Sequence, residues 1–110
     1  MRNEVVVQKL NAYAEKIIRY CEGMDYEQFS ADTKLVEACV FNLSQMGELA
    51  NRVDDAFAQA HPGIPWRYIY GLRNRIVHDY EGVNLRLIWE IIHEDLPTLQ
   101  ANLKKLEDLT

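Results

Sequence analysis

Apolar residues recur at steps of three and four along most of this chain, the spacing that lines one face of an α-helix. Val6, Leu10, Tyr13, Ile17 and Cys21 form the first stripe and predict a helix over about residues 3–22. Gly23 and the stretch MDYEQFS end it and make a connection. A second stripe runs through Leu35, Cys39, Leu43, Met46, Leu49 or Ala50, Val53 and Phe57, and predicts a helix of about 28 residues. Ser30 or Asp32 can cap it, because a short oxygen-bearing side chain accepts from the free N–H groups of the first turn. HPGIP then breaks the chain, and Pro65 suits the first position of a third helix, where its missing N–H would be unpaired anyway. That helix carries Trp66, Ile69 or Tyr70, Arg73, Ile76 or Val77, and Tyr80, and EGVN closes it.

Asn84 can cap a fourth helix with the stripe Leu85, Ile88 or Trp89, Ile92, Leu96, Leu99, Leu103 and Leu106. Pro97 is expected to bend it, since proline removes one backbone donor and crowds the preceding turn. The β-branched cluster EVVV runs straight into a helical pattern, so no strand is predicted. Four helices with short connections imply an all-α fold, an up-and-down antiparallel four-helix bundle that forms one domain over residues 1–110.

Composition narrows the function classes. A hydrophobic fraction of 48% over 110 residues is that of a globular domain with one core. No apolar run approaches the ~20 residues that a membrane span needs. The segment MRNEVVVQKLNAYAEK is charged throughout and lacks a secretory pattern, so a cytoplasmic protein without a membrane partner is expected. Cys21 and Cys39 show no CxxC spacing and read as two small core side chains rather than metal ligands or a disulfide. The formal net charge of −5 argues against a nonspecific nucleic-acid coat. Charge is uneven, however. Residues 61–93 hold four arginines (Arg67, Arg73, Arg75, Arg86) against three acids (Asp79, Glu81, Glu90), whereas the rest holds eight basic against fourteen acidic residues.

The third helix contains the oddity. GLRNRIVHDYEG places Arg73, Asn74, Arg75, His78 and Tyr80 within eight positions, with an arginine on the apolar side. At about 100° per residue, Arg73 and Tyr80 share one face with Ile69, Ile76 and Val77, while Asn74 and His78 stack on an adjoining face. Arg73 and His78 stand about 140° apart, so they meet at one ligand only if it crosses the helix, the helix distorts, or a second chain contributes. Each residue alone also has a plain reading: an arginine that reaches water or pairs with an acid, a hydrogen-bonded histidine, a half-buried tyrosine. His61 and His93 have nothing around them that lifts them above that reading.

Metal-binding HExxH, Cys₂His₂ and P-loop patterns are absent, and neither Ser30 nor Ser44 sits in a glycine-flanked turn, so no metal or cofactor is expected. Arginine binds phosphate through a planar fork, and histidine moves a proton near neutral pH. RNA brings its own nucleophile, the 2′-OH. Cleavage then needs a base, an acid and a cation, and a twofold dimer would bring two copies of His78 and Arg73 to one cleft.

RNRIVHDY resembles the Arg-x4-His-x-Tyr motif of the HEPN superfamily, including the polar Asn74 after the arginine. NLSQMGELANRV, HPGIPWRYIYGLRNRIVHDYEGVNLRLIWEII and EDLPTLQANL are similar to its HepT-like branch, the toxin half of HepT/MntA toxin–antitoxin pairs, over roughly residues 5–106. The resemblance implies a HEPN-like helical bundle that dimerises with its motif in a shared cleft, and a metal-independent ribonuclease. It implies that Arg73 binds and polarises the scissile phosphate, that His78 is the general base or acid, and that Asn74 orients phosphate or histidine. Tyr80 matches the tyrosine that a minimal nucleotidyltransferase antitoxin AMPylates in some such systems. Partners are then an RNA substrate, a tRNA for example, that antitoxin, and a second copy of the chain in a homodimer or a larger assembly. Gly47 and Glu48 fit a recurring family pair, with Gly47 suited to close helix packing. The alternative is a non-catalytic nucleotide- or substrate-binding partner of a nucleotidyltransferase, with Arg73 and His78 holding a phosphate; a third is a dimer seam that uses Arg73, Asn74 and His78 only as hydrogen-bonding groups.

Overall fold

The computed structural model describes residues 2–81 and 84–110, with the side chains of residues 77–81 outside the description. Among the described residues seven α-helices follow one another: α1 (Asn3–Tyr20), α2 (Tyr26–Ala31), α3 (Thr33–Ala50), α4 (Asp55–Ala60), α5 (Trp66–Glu81), α6 (Leu85–Glu90) and α7 (Leu96–Leu109). A π-helical turn, Ile91–Asp95, joins α6 to α7. The long elements are therefore α1, α3, α5 and the α6–α7 unit, the four expected helices, and no strand is present among the described residues. α1 packs on α3 and α7, and α3 packs on α5. The stripes meet in one core, in which Leu10, Ile17, Leu43, Met46, Leu72 and Leu103 are fully buried. Each such side chain contributes about 2 kcal/mol by leaving water.

Local chemistry sets the ends. Asp32 rather than Ser30 caps α3, its side chain accepting from the Leu35 N–H at 3.0 Å. Asn84 caps α6 in the same way through the Leu87 N–H at 3.1 Å. Pro65 immediately precedes α5 and accepts from the Ile69 N–H at 3.0 Å. The distortion expected at Pro97 takes the form of the π-helical turn just before it, where the wider hydrogen-bond register makes room for a ring that would press on the carbonyl of His93 in a regular helix. Among the described residues no helix is long and apolar enough to cross a membrane.

Three boundaries differ from expectation. The first helix stops at Tyr20, after which Gly23 takes a left-handed turn with φ of 75° that favours glycine. MDYEQFS is not a plain connection, because Asp25 and Gln28 form a reciprocal capping box that starts α2. The second helix does not run on to Phe57. It ends at Ala50, because Asn3 of α1 clamps Asp54 from across the fold, its side chain donating to Asp54 Oδ2 at 3.2 Å and accepting from the Asp54 N–H at 3.1 Å. Phe57 instead sits in α4 beside His61 and Trp66. Cys21 and Cys39 are buried free thiols, and their Sγ atoms touch at 3.7 Å, a proximity that their separation in sequence does not announce.

Candidate active site

Burial of Ile69, Leu72 and Ile76, spaced three and four apart, fixes the rotation of α5 about its axis. Arg73 follows Leu72 and so emerges at the edge of this apolar face, beside α3, rather than within it. Here the two helices nearly touch. A Cβ added to Gly47 of α3 would lie 3.2 Å from the Cβ and the backbone nitrogen of Arg73 and 3.2 Å from the carbonyl oxygen of Ile69. Those neighbours are two backbone atoms and a Cβ fixed to the backbone, so a larger residue must push α5 away from α3. Glycine thus gives the arginine a stem pinned against a helix and a head that projects outward.

Glu48, the next residue, receives that head. Its Oε1 lies 2.9 Å from Nε of Arg73, at the root of the guanidinium fork. Both side chains are about half exposed, at 58% and 47%, and water screens the pair. Such a contact stabilises the fold by less than about 1 kcal/mol, so its consequence is orientation. Gly47 and Glu48, given no firm role by the sequence, therefore do separate jobs at one point: the first lets the backbones approach, the second holds the arginine.

The structure divides the polar cluster of α5. Arg73 and Asn74 are exposed, and Arg73 faces α3. Arg75 lies on another side of the helix, its guanidinium carbon 5.7 Å above the ring centre of Tyr68. The Tyr68 hydroxyl donates to Asp95 of the π-helical turn. Burial first, and then the bond to Asp95, hold this hydroxyl protonated well above the ordinary phenol range. Arg75 thus belongs to a link between α5 and the α6–α7 unit. His78 and Tyr80 belong to α5 by their backbones, but their side chains lie outside the described residues. Asn74 and His78 are one helical turn apart, about 6 Å along the axis. His61 and His93 keep structural partners, His61 against Phe57 and His93 against Trp89.

Comparison with known proteins gives these residues a context. The sequence model of the family described as "Ribonuclease HepT-like" matches residues 10–106, nearly the whole chain. A protein of Caldanaerobacter subterraneus subsp. tengcongensis named "Putative RNase" is 35% identical over 86% of this chain and 90% of its own length. A protein of Thermococcus cleftensis named "Probable ribonuclease HepT" is 33% identical over 84% of each chain. A Methanocaldococcus jannaschii protein, also named "Putative RNase", is 29% identical over 83% of this chain and 84% of its own. No solved structure matches the chain.

Proposed function

We propose that this chain, which belongs to the HepT-like ribonuclease family, is a metal-independent endoribonuclease toxin whose site is completed by a second copy of the chain. One observation carries the reading: Arg73 stands at the helix surface with its stem packed on Gly47 and its Nε held by Glu48, a cation oriented outward rather than absorbed into the fold. In the proposed reaction the 2′-oxygen of the substrate attacks the adjacent phosphorus, and the bond to the 5′-oxygen breaks. The products are a 2′,3′-cyclic phosphate and a 5′-hydroxyl. His78 takes the proton from the 2′-OH or gives one to the leaving 5′-oxygen, and the partner's copy performs the other transfer. The amino groups of the Arg73 fork neutralise the charge that grows on the phosphorane oxygens. Glu48 acts as a positioning residue, and Asn74 orients the phosphate or the imidazole.

Regulation follows from the same helix. A minimal nucleotidyltransferase antitoxin transfers AMP from ATP to the Tyr80 hydroxyl and releases pyrophosphate. The added bulk and negative charge at the cleft repel an incoming RNA phosphate.

End-group analysis tests the chemistry. RNA treated with the unmodified protein should carry 2′,3′-cyclic phosphate and 5′-hydroxyl ends, and His78→Ala, still helical by circular dichroism, should leave the RNA intact. Fragments with 5′-phosphate ends would contradict the proposed reaction. Tight binding of nucleotide with no RNA turnover would select a non-catalytic partner of the nucleotidyltransferase instead.

A further inference from the structure

A second cationic feature lies beyond the end of α5, where α2 meets α6 and the π-helical turn. The guanidinium carbon of Arg86 sits 3.7 Å above the ring centre of Tyr26. The Tyr26 ring meets Trp89 nearly edge-on at 6.0 Å and 72°. Trp89 packs on the fully buried Phe29 at 5.2 Å, and on its other neighbour, His93, with ring centres 3.6 Å apart. The His93 ring is fixed as well, its Nδ1 lying 3.2 Å from the carbonyl oxygen of Trp89. The result is a continuous ladder, Arg86–Tyr26–Trp89–His93, whose two ends are exposed and whose middle is half-buried. Arg86 and His93 are seven residues apart, two turns or about 10 Å along one side of the α6–π-turn unit.

The fold accounts for the half-buried middle of this ladder more fully than for its two exposed ends. Phe29 and Ile88 already fill the core here, and Trp89 covers them. Arg86 and His93 are both exposed on the outside and add little burial. An arginine stacked on a ring uses its π face and leaves its in-plane N–H groups pointing sideways into solvent, where a phosphate oxygen can take them. Among the described residues no carboxylate lies within ion-pair distance of Arg86. The His93 ring, held against Trp89 at a tilt of 34°, offers an outer face on which one base can stack. A fork for one phosphate beside a ring for one base is the chemistry that recognises an unpaired nucleotide.

The surrounding charge refines the class of ligand. Asp25, Glu27 and Glu90 flank Tyr26 and Trp89 in sequence, so this corner does not attract a polyanion at large. A duplex, which presents backbone and hides its bases, gains little here. A single strand, which offers a free base for stacking, gains from both ends of the ladder. Arg86 stands eight positions beyond His78, and a chain of that length spans at most about 29 Å, so a short single strand reaches from one to the other.

We propose that the Arg86–Tyr26–Trp89–His93 ladder is a docking site for an unpaired RNA nucleotide outside the scissile bond, with Arg86 on its phosphate and His93 against its base. This assignment of substrate class rests on the ribonuclease reading above. The ladder selects single-stranded segments and holds them beside the motif helix.

The test separates the two readings by measuring binding without cleavage. The full-length His78→Ala protein is titrated with a short 5′-labelled single-stranded oligoribonucleotide, and then with the same strand annealed to its complement. Tryptophan emission reports the ladder and label anisotropy reports total binding. The single strand should quench the emission saturably, and Trp89→Phe should abolish that quenching. Arg86→Ala, Arg86→Lys and His93→Ala should each weaken binding at least about 5-fold, the worth of one stacked base, with helix content unchanged. The duplex should bind more weakly than the single strand. Anisotropy unaffected by all three substitutions, equal binding of duplex and single strand, or no binding at all would overturn the docking site. The first two of these outcomes leave the ribonuclease reading standing. Conversely, Arg86-dependent binding by a wild-type protein that cleaves no RNA would keep the docking site and remove the ribonuclease.

Discussion

Among the seams that carry polar side chains in the described residues, two use them in opposite ways. Between α1 and α7, Asn11 is buried and its groups are satisfied across the seam: its amide donates to Glu107 Oε1 at 2.8 Å, and its carbonyl accepts from the Gln100 amide at 3.0 Å. The bonds are directed inward and fix how α1 and α7 register. Between α3 and α5 the polar pair, Glu48 and Arg73, lies outside the core and makes a single screened contact. The first seam consumes its hydrogen-bonding capacity in the fold. The second pins the stem of a cation and leaves its head in water, which is the arrangement that a ligand requires.

That contrast can be broken from either side. Gly47→Leu should have the largest effect on the fold, lowering stability by about 2 kcal/mol, because the neighbours at 3.2 Å are mostly backbone and α5 must shift. It should also displace Arg73 and reduce RNA cleavage in the molecules that stay folded. Urea unfolding and single-turnover cleavage measure the two effects, and unchanged values for both would show that the close approach is unimportant. Asn11→Ala should cost about 1–2 kcal/mol, since it deprives Gln100 and Glu107 of their partner in a half-buried setting. Cleavage per folded molecule should stay as in wild type, and a loss there would mean that the α1–α7 seam also serves the site. The smallest effect on stability belongs to Glu48→Gln, less than about 1 kcal/mol for an exposed pair. Cleavage should fall several-fold through a lower turnover, with Glu48→Asp restoring part of it. A stability loss matching that of Asn11→Ala, with cleavage untouched, would make the pair structural.

The four long helices were legible because their stripes repeat over several turns, and the caps Asp32 and Asn84 stand where a short polar side chain precedes such a stripe. The end of α3 was not. Its apolar spacing continues to Phe57, and only Asn3, far away in sequence, opposes it through Asp54. The helix α2 was masked by its shortness, although its Asp25 and Gln28 spell a capping box once sought. At the site, the sequence marked Arg73 as anomalous, and the resemblance marked Gly47, suited to close helix packing, and Glu48, with no role of its own. Their meeting depends on the packing of α3 on α5, and no local pattern encodes a contact between residues twenty-five positions apart. The sequence also grouped Arg75 with Arg73, whereas the helix carries it to Tyr68 on a different side.

The most direct test of the central claim, that the α3–α5 seam presents Arg73 to a phosphate, compares wild type, Arg73→Lys and Arg73→Ala in EDTA on total cellular RNA, with thermal unfolding followed in parallel. All three should melt alike to within about 0.5 kcal/mol, as expected for an exposed side chain. Wild type should yield discrete fragments. Arg73→Lys, which keeps the charge and loses the fork, should cleave about 100-fold more slowly, and Arg73→Ala should not cleave detectably. Equal cleavage by all three proteins, or a loss of folding that accounts for the loss of activity, would contradict the account.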